Sequence, residues 1–152
     1  MQKPCLKNRK SISLALNQAK ALCTQRGERL TDLRLSVLEL VLHHDQPAKA
    51  YDLLAKLQKK KPSAKPATIY RTLDFLLSLG LVHKIHCLNA YICCLHPEAE
   101  KPCLFLICKK CHSVTESSGN TYKKIISQIS QTHTFKTTTS SFEVEGLCQN
   151  CI

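Results

Sequence analysis

No stretch of this 152-residue chain is apolar for the length a membrane helix needs, which is about 20 residues. The pattern of a secretory signal is lacking too. The basic start Met1-Gln2-Lys3-Pro4-Cys5 is followed by an apolar stretch that Ser13, Asn17, Gln18 and Lys20 interrupt. Ten cysteines without an export signal are therefore expected to be reduced or metal-bound in the cytoplasm, not paired in a secreted disulfide scaffold. No His-Glu-x-x-His helix is present, so that zinc-hydrolase pattern is excluded. Acidic residues are scarce in one half only. Residues 1–86 carry 16 Lys/Arg against 6 Asp/Glu, a net +10, whereas residues 87–152 carry 6 against 5, a net +1. A basic half joined to a nearly neutral one is expected of a polyanion binder carrying a second module. The length allows one sizeable core or two small ones.

What the chain does have is a doubled Cys-x-x-Cys: Cys108-Lys109-Lys110-Cys111 and Cys148-Gln149-Asn150-Cys151, with 36 residues between the pairs. One such turn places two thiolates on one side of a tight loop. Two supply four soft ligands at tetrahedral geometry, which suits a structural Zn²⁺. The spacing alone also fits a redox dithiol, but redox pairs open a helix in a βαβ pattern, and neither pair is placed to do so. A Cys₄ set also leaves no open coordination position for catalysis. The chain is therefore read as a non-enzyme.

Between the arm at residues 1–10 and the cysteine pairs, apolar periodicity defines the elements. Ile12, Leu16, Ala19 and Cys23 stripe a first helix that Arg26-Gly27 ends. Thr31 is an N-cap for a second, with Asp32 in its first turn and Leu35, Leu38, Val41 and Leu42 as its buried stripe. Ala50, Leu53, Leu54 and Leu57 stripe a third, which runs into the basic tract Lys59-Lys60-Lys61. Pro66 suits the first position of a fourth helix, whose core stripe is Ile69, Leu73, Leu76 and Leu77 and which stops at Gly80. Its opposite face is Ala67, Tyr70, Arg71, Asp74 and Ser78. Arg71 can fork onto a guanine edge, and Tyr70 can reach a phosphate or a thymine methyl. Residues 81–85 and 91–94 read as two short strands. The expectation is an α+β chain: a winged helix-turn-helix DNA-binding domain over residues 1–94, a proline-bearing hinge over 95–102, and a small α/β dimerisation domain with a Cys₄ zinc site over 103–152. In the last of these, Leu104 to Ile107 is a strand and Val114 to Glu116 a second. Tyr122, Ile125, Ile126 and Ile129 stripe a helix, and the Thr-rich stretch 135–145 is β-prone.

That order, with the motifs Arg29-Leu30-Thr31-x-x-Arg34, Ala50-Tyr51-Asp52-Leu53-Leu54 and Pro66-Ala67-Thr68-Ile69-Tyr70-Arg71-Thr72-Leu73, resembles the ferric uptake regulator family of metal-sensing repressors across nearly the whole chain. Asp32 stands where family helices usually have Pro. Residues 65–84 are most similar to the family's zinc-responsive branch. The resemblance implies a homodimeric, zinc-dependent repressor of zinc-uptake genes on an AT-rich palindromic operator, with no membrane and no small organic substrate as partner. It implies DNA contacts at Tyr51, Thr68, Tyr70, Arg71, Lys59, Lys60, Lys61 and Lys65, and one structural and one regulatory zinc per subunit.

Near the hinge the residues that could form the regulatory site are His83, Cys94, His96, Cys103 and Glu116. The resemblance implies His83, Cys94 and Glu116. The family's fourth ligand, a His, falls on Lys101 here, so Cys103 is expected in its place, with His96 as the alternative. A thiolate in the set favours Zn²⁺ over Fe²⁺ or Mn²⁺, and an iron regulator would carry a His-rich run before the first Cys-x-x-Cys, where this chain has only His96. The alternatives are a regulator responsive to iron or another metal in the same family and, in a different class, a zinc-stabilised thiol redox protein. Cys5, Cys23 and Cys87 are read as structural or surface thiols.

Overall fold

The computed structural model describes residues 9–94, 103–117, 120–138 and 141–152, and these divide into two compact units, one within residues 1–98 and one within 99–152. The expected hinge, with His96 and Lys101, and residues 1–8 of the expected arm, with Cys5, lie outside the described residues; Arg9 and Lys10, expected in the arm, already belong to the first helix.

The first unit is a winged helix-turn-helix. Helix α1 (Arg9–Gln25) packs on α2 (Asp32–Leu42), which packs on α3 (Ala50–Lys60) and α4 (Pro66–Ser78). The hairpin of β1 (Val82–Ile85) and β2 (Ala90–Cys93) follows. Gly27 and Gly80, at φ 67° and 70°, end α1 and α4 in the left-handed conformation that other residues resist. The Thr31 side chain accepts the Arg34 N–H at 3.4 Å and caps α2. Buried faces of all four helices meet in one core with Leu81, Val82, Tyr91 and Cys93 of the wing. Ala48 and Tyr91 exchange backbone hydrogen bonds at 2.8 Å in both directions, tying the α2–α3 connection to the wing.

Several stripes differ from the expectation: in α1 Leu16 is half-buried while Leu22 is buried, and Ile125 and Ile129 of the helix in the second unit are 48% and 53% exposed. In α2 the buried set is Val37, Leu38, Val41 and Leu42, with Leu35 only half-buried. In α4 Thr72 is buried and Leu77 half-buried. Thr72 can be buried because its hydroxyl donates to the Thr68 carbonyl at 2.8 Å, which satisfies it locally.

The second unit is a three-stranded sheet in the order β4-β3-β5 with one helix. β3 (Cys103–Cys108) turns through the first Cys-x-x-Cys into antiparallel β4 (Val114–Ser117), and α5 (Asn120–Thr132) carries the chain back so that β5 (Ser141–Gly146) lies parallel to β3. Successive β3 side chains alternate between faces. Phe105 and Ile107 are buried, whereas Leu106 is 46% exposed. Leu106 stands beside Val144, and Leu104 beside Phe142, so one face of this sheet is apolar and open.

Candidate metal centre and nucleic-acid interface

The parallel pairing of β3 and β5 brings the two Cys-x-x-Cys turns together. Parallel strands end on the same side of a sheet. The register sets Cys108 against Gly146, so the chain leaving β5 reaches Cys148 beside the loop leaving β3. The ladder continues into that loop, where the Lys109 N–H donates to the Gly146 carbonyl at 2.9 Å. The first knuckle closes when the His112 N–H donates to the Cys108 carbonyl at 2.8 Å and the Cys108 N–H to the Ser113 carbonyl at 3.0 Å. His112 takes φ 58° to make that reversal. In the second knuckle the N–H groups of Cys151 and Ile152 both donate to the Cys148 carbonyl, at 2.8 and 3.1 Å.

The sulfurs of Cys108, Cys111, Cys148 and Cys151 all lie within 4.8 Å of one another. A tetrahedron with Zn–S bonds of roughly 2.3 Å has edges of about 3.8 Å, and the Cys111–Cys148 separation is 3.7 Å. Electrostatics also favour a cation. Backbone N–H groups of Cys111 and Cys148 bring the Cys108 thiol down to about 6, the latter with its nitrogen 3.4 Å from the sulfur. Ser113 lowers Cys111. Cys151 is pushed up to about 12, chiefly because its thiol is held as a donor to Cys148, and crowding by the other sulfurs adds to this. Four thiolates in this volume repel one another unless a divalent cation compensates them. Donor type, spacing and charge thus all fit zinc. Neither pair opens a helix: one follows β3 and the other follows β5.

The second set of expected ligands falls in both units. In the first, His83 is buried on β1 with Ile92 opposite. The Cys94 N–H donates to the Leu81 carbonyl at 3.0 Å and extends the ladder by one pair. Alternation then puts Cys94 on the same hairpin face as His83. Cys93, on the other face, joins the helical core. In the second unit Glu116 pairs with Phe105, and Cys103 lies two residues before Phe105 on the same face. A Glu116 carboxylate oxygen and the Cys103 sulfur lie within 4.8 Å of each other.

Helix α4 presents Ala67, Tyr70, Arg71, Asp74 and Ser78 to solvent. Thr68 is half-buried. Tyr51, in the first turn of α3 and 66% exposed, meets the Tyr70 ring edge to face, with centroids 6.5 Å apart and planes at 86°. The two phenols therefore form one amphipathic platform beside Arg71. Lys59, Lys60 and Lys65 are exposed and Lys61 is half-buried at the end of α3. The turn between the helices is pinned by the Gln58 side-chain amide, which donates to the Ala64 carbonyl at 2.8 Å. Lys60 also faces Glu39 at 3.9 Å. Among thiols read as structural or surface, Cys23 is buried in the core, where desolvation raises its pKa, and Cys87 is exposed in the wing turn.

A signature this specific admits comparison with known proteins. The family model of the ferric uptake regulator family matches residues 25–145. The chain belongs to this family. It is 38% identical over 138 residues to the zinc uptake regulation protein of Escherichia coli (strain K12), covering 90% of this chain and 81% of that protein. Among solved structures it is similar to a zinc uptake regulator complexed with zinc and DNA, at 36% identity and a TM-score of 0.86, covering 91% of this chain and 93% of that one. Holo XcZur is similar at 35% identity and a TM-score of 0.82, covering 91% and 96%. The ferric uptake regulator family is one of transcription regulators. No helix among the described residues is long and apolar enough to cross a membrane.

Proposed function

We propose that this member of the ferric uptake regulator family is a zinc-responsive transcriptional repressor that binds operator DNA as a zinc-loaded homodimer and controls zinc-uptake genes from the cytoplasm. The observation that carries the reading is the likeness, over nearly the full chain, to a zinc uptake regulator held with both zinc and DNA. The exposed Tyr51–Tyr70–Arg71 face on the basic unit supports it. Arg71 reads a base edge in the major groove, the tyrosines and Thr68 pack on the groove wall, and Lys59, Lys60, Lys61 and Lys65 neutralise phosphates. The open apolar sheet face with Leu106, Phe142 and Val144 is suited to a second copy.

Cys108, Cys111, Cys148 and Cys151 hold one structural zinc per subunit, which staples β5 to β3. His83, Cys94, Cys103 and Glu116 hold a second, regulatory zinc, with His96 as the alternative fourth ligand. The donor chemistry supports this: imidazole, thiolate and carboxylate together suit zinc better than iron, and each unit already sets two of the four on a common face. A site with ligands from both units couples metal to their arrangement, and only such a difference in affinity can switch DNA binding. The division of the chain at residues 95–102 into a DNA-binding domain and a dimerisation domain belongs to the same reading. Elemental analysis of the purified protein, combined with an operator mobility shift titrated in buffered free zinc, tests it. Two zinc ions per subunit and a shift that appears only as the second site fills are expected. Zinc-independent binding would refute the regulatory part, and absence of any operator preference would refute the whole.

A further inference from the structure

Two arginines grip the C-terminal half of helix α4. Arg34 of α2 sets its guanidinium over the Phe75 ring, with Cζ 3.4 Å from the ring centroid. The same guanidinium donates through Nη1 to the Arg29 carbonyl at 2.6 Å, ahead of α2. Arg26, which follows α1, donates through Nη1 to the Leu79 carbonyl at 3.3 Å, where α4 ends. Burial and Glu28 raise the Cys23 thiol while Arg34 and Arg26 oppose the rise, so both guanidinium groups stand near the end of α1. Phe75 follows Arg71 by four residues, so the two are neighbours along one stripe of α4. We propose that Arg34 is a positioning residue for sequence readout: stacked on Phe75, it fixes the rotation of α4 about its own axis and so the aim of Arg71 at a base edge. The inference rests on the DNA-binding reading above.

The buried stripe of α4 does not set that rotation closely. Ile69, Leu73 and Leu76 are aliphatic, and the burial of apolar surface is non-directional. Side chains reach about 5–6 Å from a helix axis, so a turn of about 10° moves their tips by about 1 Å. A bidentate Arg–guanine pair loses its alignment over such a shift, because hydrogen bonds hold over only a few tenths of an ångström. The Arg34 contact resists the turn because it is directional at both ends. The ring must stay beneath the cation, and the guanidinium cannot follow the ring without losing the Arg29 carbonyl. An arginine is required for this. Its planar fork stacks and donates at once, whereas a lysine ammonium is a compact point charge.

The test uses zinc-loaded full-length protein and a duplex that the parent selects from a random pool, with a scrambled duplex of equal length beside it. Arg34→Lys keeps the charge and removes the stack. Its affinity for the selected duplex is expected to fall severalfold, with the scrambled duplex bound as by the parent and the salt slope unchanged. In an Arg71→Ala background the same change should have almost no further effect, because no guanidinium is left to aim. Phe75→Leu should reproduce Arg34→Lys, and the two together should be no worse than either. Phe75→Tyr keeps the ring and should match the parent. Circular dichroism checks folding, and where Arg34→Lys does not fold, Phe75→Leu carries the same comparison. Equal weakening on both duplexes with a lower salt slope would make Arg34 a phosphate contact and overturn the proposal. So would a full, additive loss in the Arg71→Ala background, which a general loosening of the fold would give, or parent-like discrimination by Arg34→Lys. A parent that selects no duplex from the pool would instead refute the repressor reading itself, and this inference with it.

Discussion

Replacing Arg71 by Ala isolates the readout of DNA sequence. The side chain lies on the exposed face of α4, opposite the buried Ile69, Leu73 and Leu76. Truncating it leaves the core intact, and the effect on folding should stay within about 0.5 kcal/mol. A bidentate Arg–guanine pair contributes about 1–3 kcal/mol of discrimination. A homodimer on a palindrome carries two such pairs at separated half-sites, and these add, so the operator affinity should fall by about 2–6 kcal/mol, or at least roughly 30-fold in Kd. Non-specific DNA should be bound nearly as before, because the phosphates are neutralised elsewhere. The matched control replaces Lys59, Lys60 and Lys61 together by Gln. Removing one phosphate-neutralising lysine lowers the slope of log K against log salt by about 0.9. Lys60 already faces Glu39 and Lys61 is half-buried, so the reduction should fall short of the full value of roughly 2.7 per subunit. Fluorescence anisotropy with a labelled operator and a scrambled duplex of equal length, at several salt concentrations, measures both. Equal weakening on the two duplexes after Arg71→Ala, or a changed salt slope as large as the lysine variant's, would show that α4 touches only the backbone.

Cys148→Ser should abolish the structural zinc and with it the folding of the second unit and the dimer, as sedimentation would report; a well-folded, zinc-free dimer would refute that role. Cys103→Ser should leave a folded dimer with its cysteine-bound zinc but without zinc-dependent operator binding, whereas His96→Ala should behave like the parent; the reverse pattern would make His96 the fourth ligand, and a Cys94→Ser variant with normal zinc-dependent repression would refute the regulatory set. Zinc affinity of the four-cysteine centre should fall with falling pH, and more steeply once pH drops below the Cys108 value of about 6. Above that value Cys108 is already a thiolate and the raised Cys151 still has a proton to displace; below it Cys108 adds another, so the slope of log K against pH increases by about one. Competition with a chelator of known pH dependence, measured from pH 5 to pH 8, would reveal the break.

Much of this protein can be read from local pattern because local physics decides it. The α3 stripe of Ala50, Leu53, Leu54 and Leu57 is buried as its spacing requires, since α3 is apolar on one face only. Thr31 caps α2, and Gly27 and Gly80 end helices, because capping oxygens and left-handed φ act within a few residues. The exposed face of α4 with Tyr70 and Arg71 follows from the same periodicity. Helix α2 shows where that reasoning stops. Leu33, Leu35, Val37, Leu38, Leu40, Val41 and Leu42 leave several faces apolar, and packing against α1, α3 and α4 selects Val37 over Leu35.

The sequence by itself determined the two cysteine turns, since Cys-x-x-Cys spacing is a property of four consecutive residues, and it determined which half carries the positive charge. Tertiary structure decided that the two turns meet. Nothing local to residues 103–108 or 141–146 says that these strands pair, in parallel, with Cys108 against Gly146. An antiparallel pairing of the same segments would send the second turn to the opposite end of the sheet. The same sheet sets Cys103 near Glu116 through the β3–β4 register and joins Leu106, Phe142 and Val144 into one open apolar face. Strand pairing depends on contacts between residues far apart in the chain, and periodicity within a strand specifies its faces but not its neighbour.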